Sequence, residues 1–327
     1  MKKNRIIYID YLKAIGLLLV ILAHVECPKY IMQLRSFDVP LLVVLSGYLA
    51  SKTYVSGNSK KYYWKRIQRL VIPAWIFLVI FFIVQSVAYS RPTVKNIIKA
   101  VTFQRDADMV GMLWVIWVYL ICALLIPVIF KIRYNKKNNI IIMCVFVAYE
   151  LLCMTTDISS NRIIYITLLT IIPWGAITYL GFYLDQITKK QKMIIISFGI
   201  IIFLSGVAYF KVRRDMFIST NDYKYPARLY YFSYAIPIIF ILIKVFREIP
   251  LKNNKLISFI SSSSLWIYLW HILVLYVVKS IIVDDRLWIL QYAFILSISI
   301  IITWIQNVII KYLISNYKLY FLKVFLG

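Results

Sequence analysis

The sequence predicts an all-α, polytopic transmembrane helical bundle of about ten helices, and three observations carry that prediction. Of 327 residues, 62% are hydrophobic and only 16% charged, against roughly 45–50% and about 25% in soluble domains. Long apolar runs recur from one end of the chain to the other, too many for one water-soluble core to cover. The basic residues, which give a formal net charge of +25, lie in short clusters between those runs rather than in one stripe. That distribution argues against nucleic acid as a partner and for membrane lipids, through anionic headgroups, or a phosphorylated ligand near the cytoplasmic face.

The first apolar segment, 6–26, follows Lys2, Lys3 and Arg5 and has the look of a signal sequence. It lacks a small-residue cleavage site and suffices to span, so it reads as a retained first helix. The others run over about 38–54, 69–89, 111–130, 140–156, 163–184, 193–210, 229–247, 257–279 and 287–310. The second is short, and is inferred partly because the next basic cluster needs a consistent side. With the N-terminus inside, the inner segments hold 23 Lys and Arg and the outer segments 14. That bias places both termini in the cytoplasm. Segment 211–228 resists it, with five basic residues against two acidic on the outer side. It either touches an anionic acceptor or is a tolerated loop, and the second reading is favoured.

Pro73, Pro127, Pro173 and Pro237 fall inside or at the ends of spans, where kinks are common and carry no function by themselves. There is no internal repeat, low-complexity tract or soluble linker, so one membrane domain is expected over 1–327, with no appended soluble domain. Cys27, Cys122, Cys144 and Cys153 have no C-x-x-C spacing, so neither a disulfide framework nor a metal site is expected.

Ionisable residues within spans are costly, about 2.5–3.5 kcal/mol each on insertion scales, and so mark candidate sites. In the first span Lys13 and His24 are eleven positions apart, which on an α-helix leaves them within about 20° of one face and roughly 16 Å apart along the axis. Asp10 lies within about 60° of the same face. His271, the only other histidine, sits in the outward half of the ninth span, where an apolar-flanked histidine reads more readily as a packing residue. Glu150 is the only acid deep within a span. Three uses are open to it: orienting a histidine, pairing with Lys13, or serving as a structural hydrogen-bond partner. Glu26 reads as interfacial. At the inner mouth of the third span, Arg66 and Arg69 are helical neighbours whose paired guanidinium forks suit phosphate oxygens, although a positive-inside anchor explains such a pair in most membrane proteins.

Taken together these blocks are more specific. Lys13, ten residues, then His24 resembles the R/K-x10-H signature of the acyltransferase-3 family of membrane O-acyltransferases. Val39–Leu49, with Ser46-Gly47, resembles that family's second helix, and Arg66-Ile-Gln-Arg69 followed by Pro73 is similar to its R-x-x-R motif. Met112–Leu120 resembles its Leu-Trp helix, and SSSSLWIYLWHILVL its late Tyr-Leu-x-His segment. The blocks keep family order over nearly the whole chain. Two departures stand out: lysine replaces the commoner arginine at position 13, and no hydrolase-like domain follows the last span.

The resemblance implies acyl transfer from cytoplasmic acyl-CoA, commonly acetyl-CoA, to a hydroxyl of a carbohydrate, a lipid-linked sugar or a secreted glycan. It places the chain in a bacterial cytoplasmic membrane, as a multi-pass protein and possible homo-oligomer. In that reading Arg66 and Arg69 hold CoA phosphates, His24 is general base, and Lys13 holds a carboxylate or stabilises charge on the thioester oxygen. Asp10, Glu150 and His271 complete the candidate catalytic set, with the acid that supports His24, if any, left open, and Trp114 and Tyr268 shape the donor path. Direct transfer and an acyl-His24 intermediate both remain open. The rival readings are a transporter or flippase for lipid-linked sugars and a non-catalytic partner subunit.

Overall fold

The computed structural model describes residues 6–88, 91–155, 164 and 168–326. Lys2, Lys3, Arg5 and most of the stretch joining the fifth and sixth predicted spans lie outside the described residues. The described chain is helical, and no strand is found in it. Its α-helices are α1 (Ile7–Leu22), α2 (Lys29–Leu34), α3 (Asp38–Ser51), α4 (Ser59–Arg66), α5 (Ile72–Ala88), α6 (Val94–Val101) and α7 (Trp114–Lys131). They continue as α8 (Lys136–Thr155), α9 (Leu168–Phe182), α10 (Lys189–Arg214), α11 (Leu229–Glu248), α12 (Lys255–Ser262), α13 (Ser264–Ile281) and α14 (Trp288–Tyr317).

Each of the ten predicted spans falls mainly on helix over its described residues, with one change of kind. The ninth is two helices, α12 and α13, broken at Ser263. Ser261 to Ser264 supply the break, because serine hydroxyls compete with the backbone for hydrogen bonds and favour helix ends over helix interiors. Among the described residues, eight helical stretches are long and apolar enough to cross a membrane. The first span is shorter than its apolar run, since α1 has 16 residues and stops at Leu22.

The chain forms two compact units. The first comprises 1–27, 60–120 and 252–327. Within it α1 packs against α12, α13 and α14, α13 lies along α14, and α5 packs on α6 and α13. A 3-10 segment, Tyr320–Phe325, packs on α5 and α14. The Trp266 indole fixes it by donating to the Val324 carbonyl at 3.2 Å and stacking on Phe325.

The second unit comprises 28–59 and 121–251 and is built on the pairs α3–α9 and α10–α11, with α8 on α9 and α11 on α3. Small residues set the α3–α9 contact. A Cβ on Gly47 would lie 2.5 Å from the Thr178 carbonyl, and one on Gly181 would meet the Val44 carbonyl. Glycine at both places lets the backbones touch, which is how membrane helices associate without a hydrophobic drive between them. α8 and α10 turn large apolar side chains outward, among them Met143, Leu151, Phe198, Ile201 and Leu204, as a lipid-facing surface requires.

The basic segment 211–228 belongs to this unit, and its charges are largely taken up internally. Lys211 pairs with Asp215 at 2.7 Å and Arg228 with Glu150 at 2.8 Å. Lys224 is folded inward near Asp38 and Arg35, which form a buried ion pair of their own. Burial lowers the Lys224 pKa to about 8, against a raising effect of Asp38. Gln33 of α2 locks the segment by accepting from the Thr220 amide at 2.9 Å. A loop so occupied is a structural part of the unit, which accounts for its departure from the charge rule.

Candidate functional site

Most sequence-predicted site residues meet in the first unit, in three groups. The first is at the foot of α1. The break at Ser263 leaves the last carbonyls of α12 without helical donors. Lys13 Nζ donates to one of them, Ser261 O, at 2.6 Å, a cation satisfying a helix C-terminus. The Ser261 hydroxyl donates to Asp10 Oδ1, also at 2.6 Å. Asp10 and Lys13, one turn apart on α1, thus grip the same residue of α12.

The second group is the histidine pair. His24 lies just past α1, where its amide bonds to Ile21 O with the tighter spacing of a 3-10 turn. The straight-helix extrapolation from Lys13 therefore ends two residues short of it. His271, on α13, is fully buried, and its Nε2 is 3.3 Å from His24 Nδ1. Its Nδ1 contacts the Tyr268 carbonyl. A carbonyl only accepts, so His271 Nδ1 carries the proton, and the Nε2 of the neutral ring is an acceptor. His24 Nδ1 then donates, which leaves His24 Nε2 as the unprotonated nitrogen of its ring. The rings are 5.1 Å apart. Beyond them, Lys279 of α13 pairs with Glu26 at 2.9 Å.

Tyr268 links this pair to the start of α7. Its ring lies 4.9 Å from that of His271, and its hydroxyl donates to the Met112 carbonyl, two residues before Trp114. Tyr268 thereby ties α13 to the segment that leads into α7.

The third group is the arginine pair. Arg66 ends α4, and Arg69 sits in a π-helical turn, Ile67–Val71, that leads into α5. Pro73 has no N–H to return to the Arg69 carbonyl, and the wider turn absorbs that loss. Arg66 lies over the Tyr62 ring at 5.0 Å. Among the described residues no carboxylate pairs with either guanidinium. Two unneutralised forks at one helix junction are suited to phosphate.

Glu150 is placed differently. It belongs to the second unit, where Oε1 accepts from Arg228 Nε at 2.8 Å and Oε2 from the Leu229 amide at 3.0 Å. Both oxygens are used, one of them on the first turn of α11, where a carboxylate favours the helix N-terminus. Of the three uses open to it in the sequence, the structural partner is the one realised.

Sequence reasoning missed Ser261, whose role needs the helix break to be seen. It also missed Asp185, which bridges Lys52 at 2.6 Å and Arg247 at 2.9 Å. Burial pushes that carboxyl up, but the two cations outweigh it and hold it below the usual range.

The family whose description is an acyltransferase domain matches residues 6–308, from the start of α1 to late in α14. No curated protein and no solved structure matches the chain. All three site groups fall inside the matched range, and the helical stretches able to cross a membrane are distributed along it. The chain therefore belongs to the acyltransferase-3 family and is a multi-pass membrane acyltransferase.

Proposed function

We propose that this acyltransferase moves an acyl group, in the first instance acetyl, from acyl-CoA to a hydroxyl of an envelope or secreted glycan or a lipid-linked sugar. The observation that carries the reading is the His24–His271 contact, because it leaves His24 Nε2 as an unprotonated base.

In this reading the acceptor hydroxyl hydrogen-bonds to His24 Nε2 and gives up its proton as its oxygen attacks the thioester carbonyl carbon. The carbonyl π pair moves to oxygen, then returns as the C–S bond breaks. The CoA sulfur leaves as thiolate and takes the proton back from His24. While His24 is an imidazolium, its Nδ1–H bond to His271 Nε2 becomes charge-assisted and therefore stronger. His271 touches no reacting atom and acts as a positioning residue. Lys13 and Asp10, some 16 Å down α1 by helix rise, are too far from His24 to share a reacting atom with it. Their part is to fix α1 on α12. Arg66 and Arg69 take donor phosphate.

The test is transfer of label from radiolabelled acetyl-CoA by membranes containing wild type, His24→Ala or Arg66→Ala/Arg69→Ala, in a host that supplies its own glycan. Label reaching a carbohydrate fraction with wild type alone supports the proposal. Equal labelling by all three at equal expression removes His24 and the arginine pair from the chemistry. A wild type that turns over no CoA thioester moves the transporter reading forward.

A further inference from the structure

An open cleft of about 390 Å³ lies in the first unit beside the helix break, between α12, the end of α14 and the C-terminal 3-10 segment. Its charge is one-sided. Lys255 and Lys311 both line it, and among the described residues no carboxylate side chain does and neither lysine has an acidic partner. Ser262 and Ser263 add hydroxyls, and Phe259 gives an apolar wall. Asn307 also lines it and is 6% exposed. Its Nδ2 donates to Ser263 Oγ at 2.9 Å, while its Oδ1 is shielded from solvent with no partner among the described residues. An orphaned buried acceptor of this kind costs about 1–3 kcal/mol and calls for a donor.

We propose that this cleft binds the nucleotide end of the acyl donor, with Lys255 and Lys311 on phosphate and Asn307 Oδ1 accepting from an amino group of the base. The inference rests on the acyl-CoA reading above and adds a subsite to it. Two ammonium groups without a counter-ion select an anion. A phosphomonoester dianion has no proton to donate to Asn307 Oδ1, whereas an amine-bearing base has an N–H. The volume lies within the roughly 300–1,000 Å³ of small-molecule sites. A zwitterionic lipid headgroup would bring a third cation beside the two lysines.

The position suits the donor. Ser262 and Ser263 line the cleft while Ser261, one residue earlier, carries the contacts to Lys13 and Asp10. One helix break therefore presents polar groups both to α1 and to the cleft. In the topology read from the sequence, both lysines lie on the cytoplasmic side, where acyl-CoA is found. The 3-10 segment bordering the cleft packs on α5, the helix that continues from the Arg66–Arg69 turn. A donor with phosphates at more than one position can engage both cation groups.

The test uses full-length protein in detergent and adenosine 3′,5′-bisphosphate, a nucleotide without thiol or acyl group, titrated calorimetrically. Lys255→Gln/Lys311→Gln should weaken binding by about tenfold or more, the scale of one lost charge-assisted hydrogen bond. It should raise KM for acetyl-CoA more than it lowers kcat. Both lysines are exposed, so the variant is expected to fold, and its melting temperature checks this. Asn307→Asp should weaken the nucleotide further by placing a carboxylate in the cleft. Unchanged nucleotide affinity and KM in the lysine variant, with wild type still transferring acetyl, overturns the subsite and leaves the acyltransferase reading intact. A wild type that neither binds the nucleotide nor transfers acetyl overturns both. In a third arm the variants are compared in phosphatidylcholine nanodiscs with and without phosphatidylglycerol. A lysine dependence confined to phosphatidylglycerol assigns the cleft to a headgroup and refutes the nucleotide.

Discussion

Replacing His271 by leucine tests the proton arrangement directly. The side chain is fully buried on α13, so an apolar residue of similar volume is tolerated there better than a charged one. The change removes the acceptor 3.3 Å from His24 Nδ1. A neutral hydrogen bond contributes about 0.5–1.5 kcal/mol and a charge-assisted one about 1.5–3. His24 is neutral before proton transfer and cationic after it, so the loss is greater at the transition state. The difference is about 1–1.5 kcal/mol, so at 1.4 kcal/mol per tenfold kcat should fall by about 5- to 12-fold. KM should stay near wild type, because His271 touches neither substrate in this reading. His271→Gln keeps an acceptor within reach of His24 Nδ1 and should recover most of the loss. The assay is initial-rate acetyl transfer by protein matched for melting temperature. If His271→Leu turns over at the wild-type rate while His24→Ala is inactive, the tautomer argument is wrong and His271 is a packing residue.

Three further outcomes follow from the second unit. Gly47→Ala places a methyl 2.5 Å from the Thr178 carbonyl and should destabilise the α3–α9 pair by about 1–3 kcal/mol, read as a lower melting temperature in detergent. Glu150→Ala strands Arg228 and the Leu229 amide. It should cost about 3 kcal/mol of stability, with acetyl transfer per folded molecule unchanged. Lys224→Met should stabilise at neutral pH. Below about pH 8 Lys224 is charged in both states and the burial cost is complete. Between there and its ordinary 10.5 the unfolded state binds more protons, so wild-type stability rises with pH. The advantage of the variant, at most about 3 kcal/mol at 1.36 per pKa unit, should shrink across that window. Melting curves at pH 7 and pH 10 measure it.

What the sequence made legible was what helices report locally. Apolar runs gave ten helical segments because lipid demands unbroken internal hydrogen bonding along each. Lys13 and His24 stood out because charge within such a run is costly. Partner choice was not legible. His24 and His271 are 247 residues apart in the chain, and Glu150 and Arg228 are 78 apart. Periodicity carries no information on which helix faces which. The four serines before His271 were visible as a motif, but whether they end a helix depends on Lys13 and Asn307, which take up the groups that the break exposes. The π turn at Arg69 had a visible cause in Pro73, yet a proline is compatible with a kink, a helix start or a bulge.

The shortness of α1 has a consequence for the surrounding bilayer. Sixteen residues rise about 24 Å, against a hydrocarbon thickness of about 30 Å. A bilayer meets such a deficit by thinning locally, at a cost of fractions of a kcal/mol per ångström. Lys13 on this helix and His24 just past its end would stand only about half a membrane apart. The bilayer around α1 is then a pinched one, and lipid chain length acts on how firmly α1 is held against α12 and where His24 is set. Short-chain bilayers should favour transfer, and thick ones should slow it without any change in the protein.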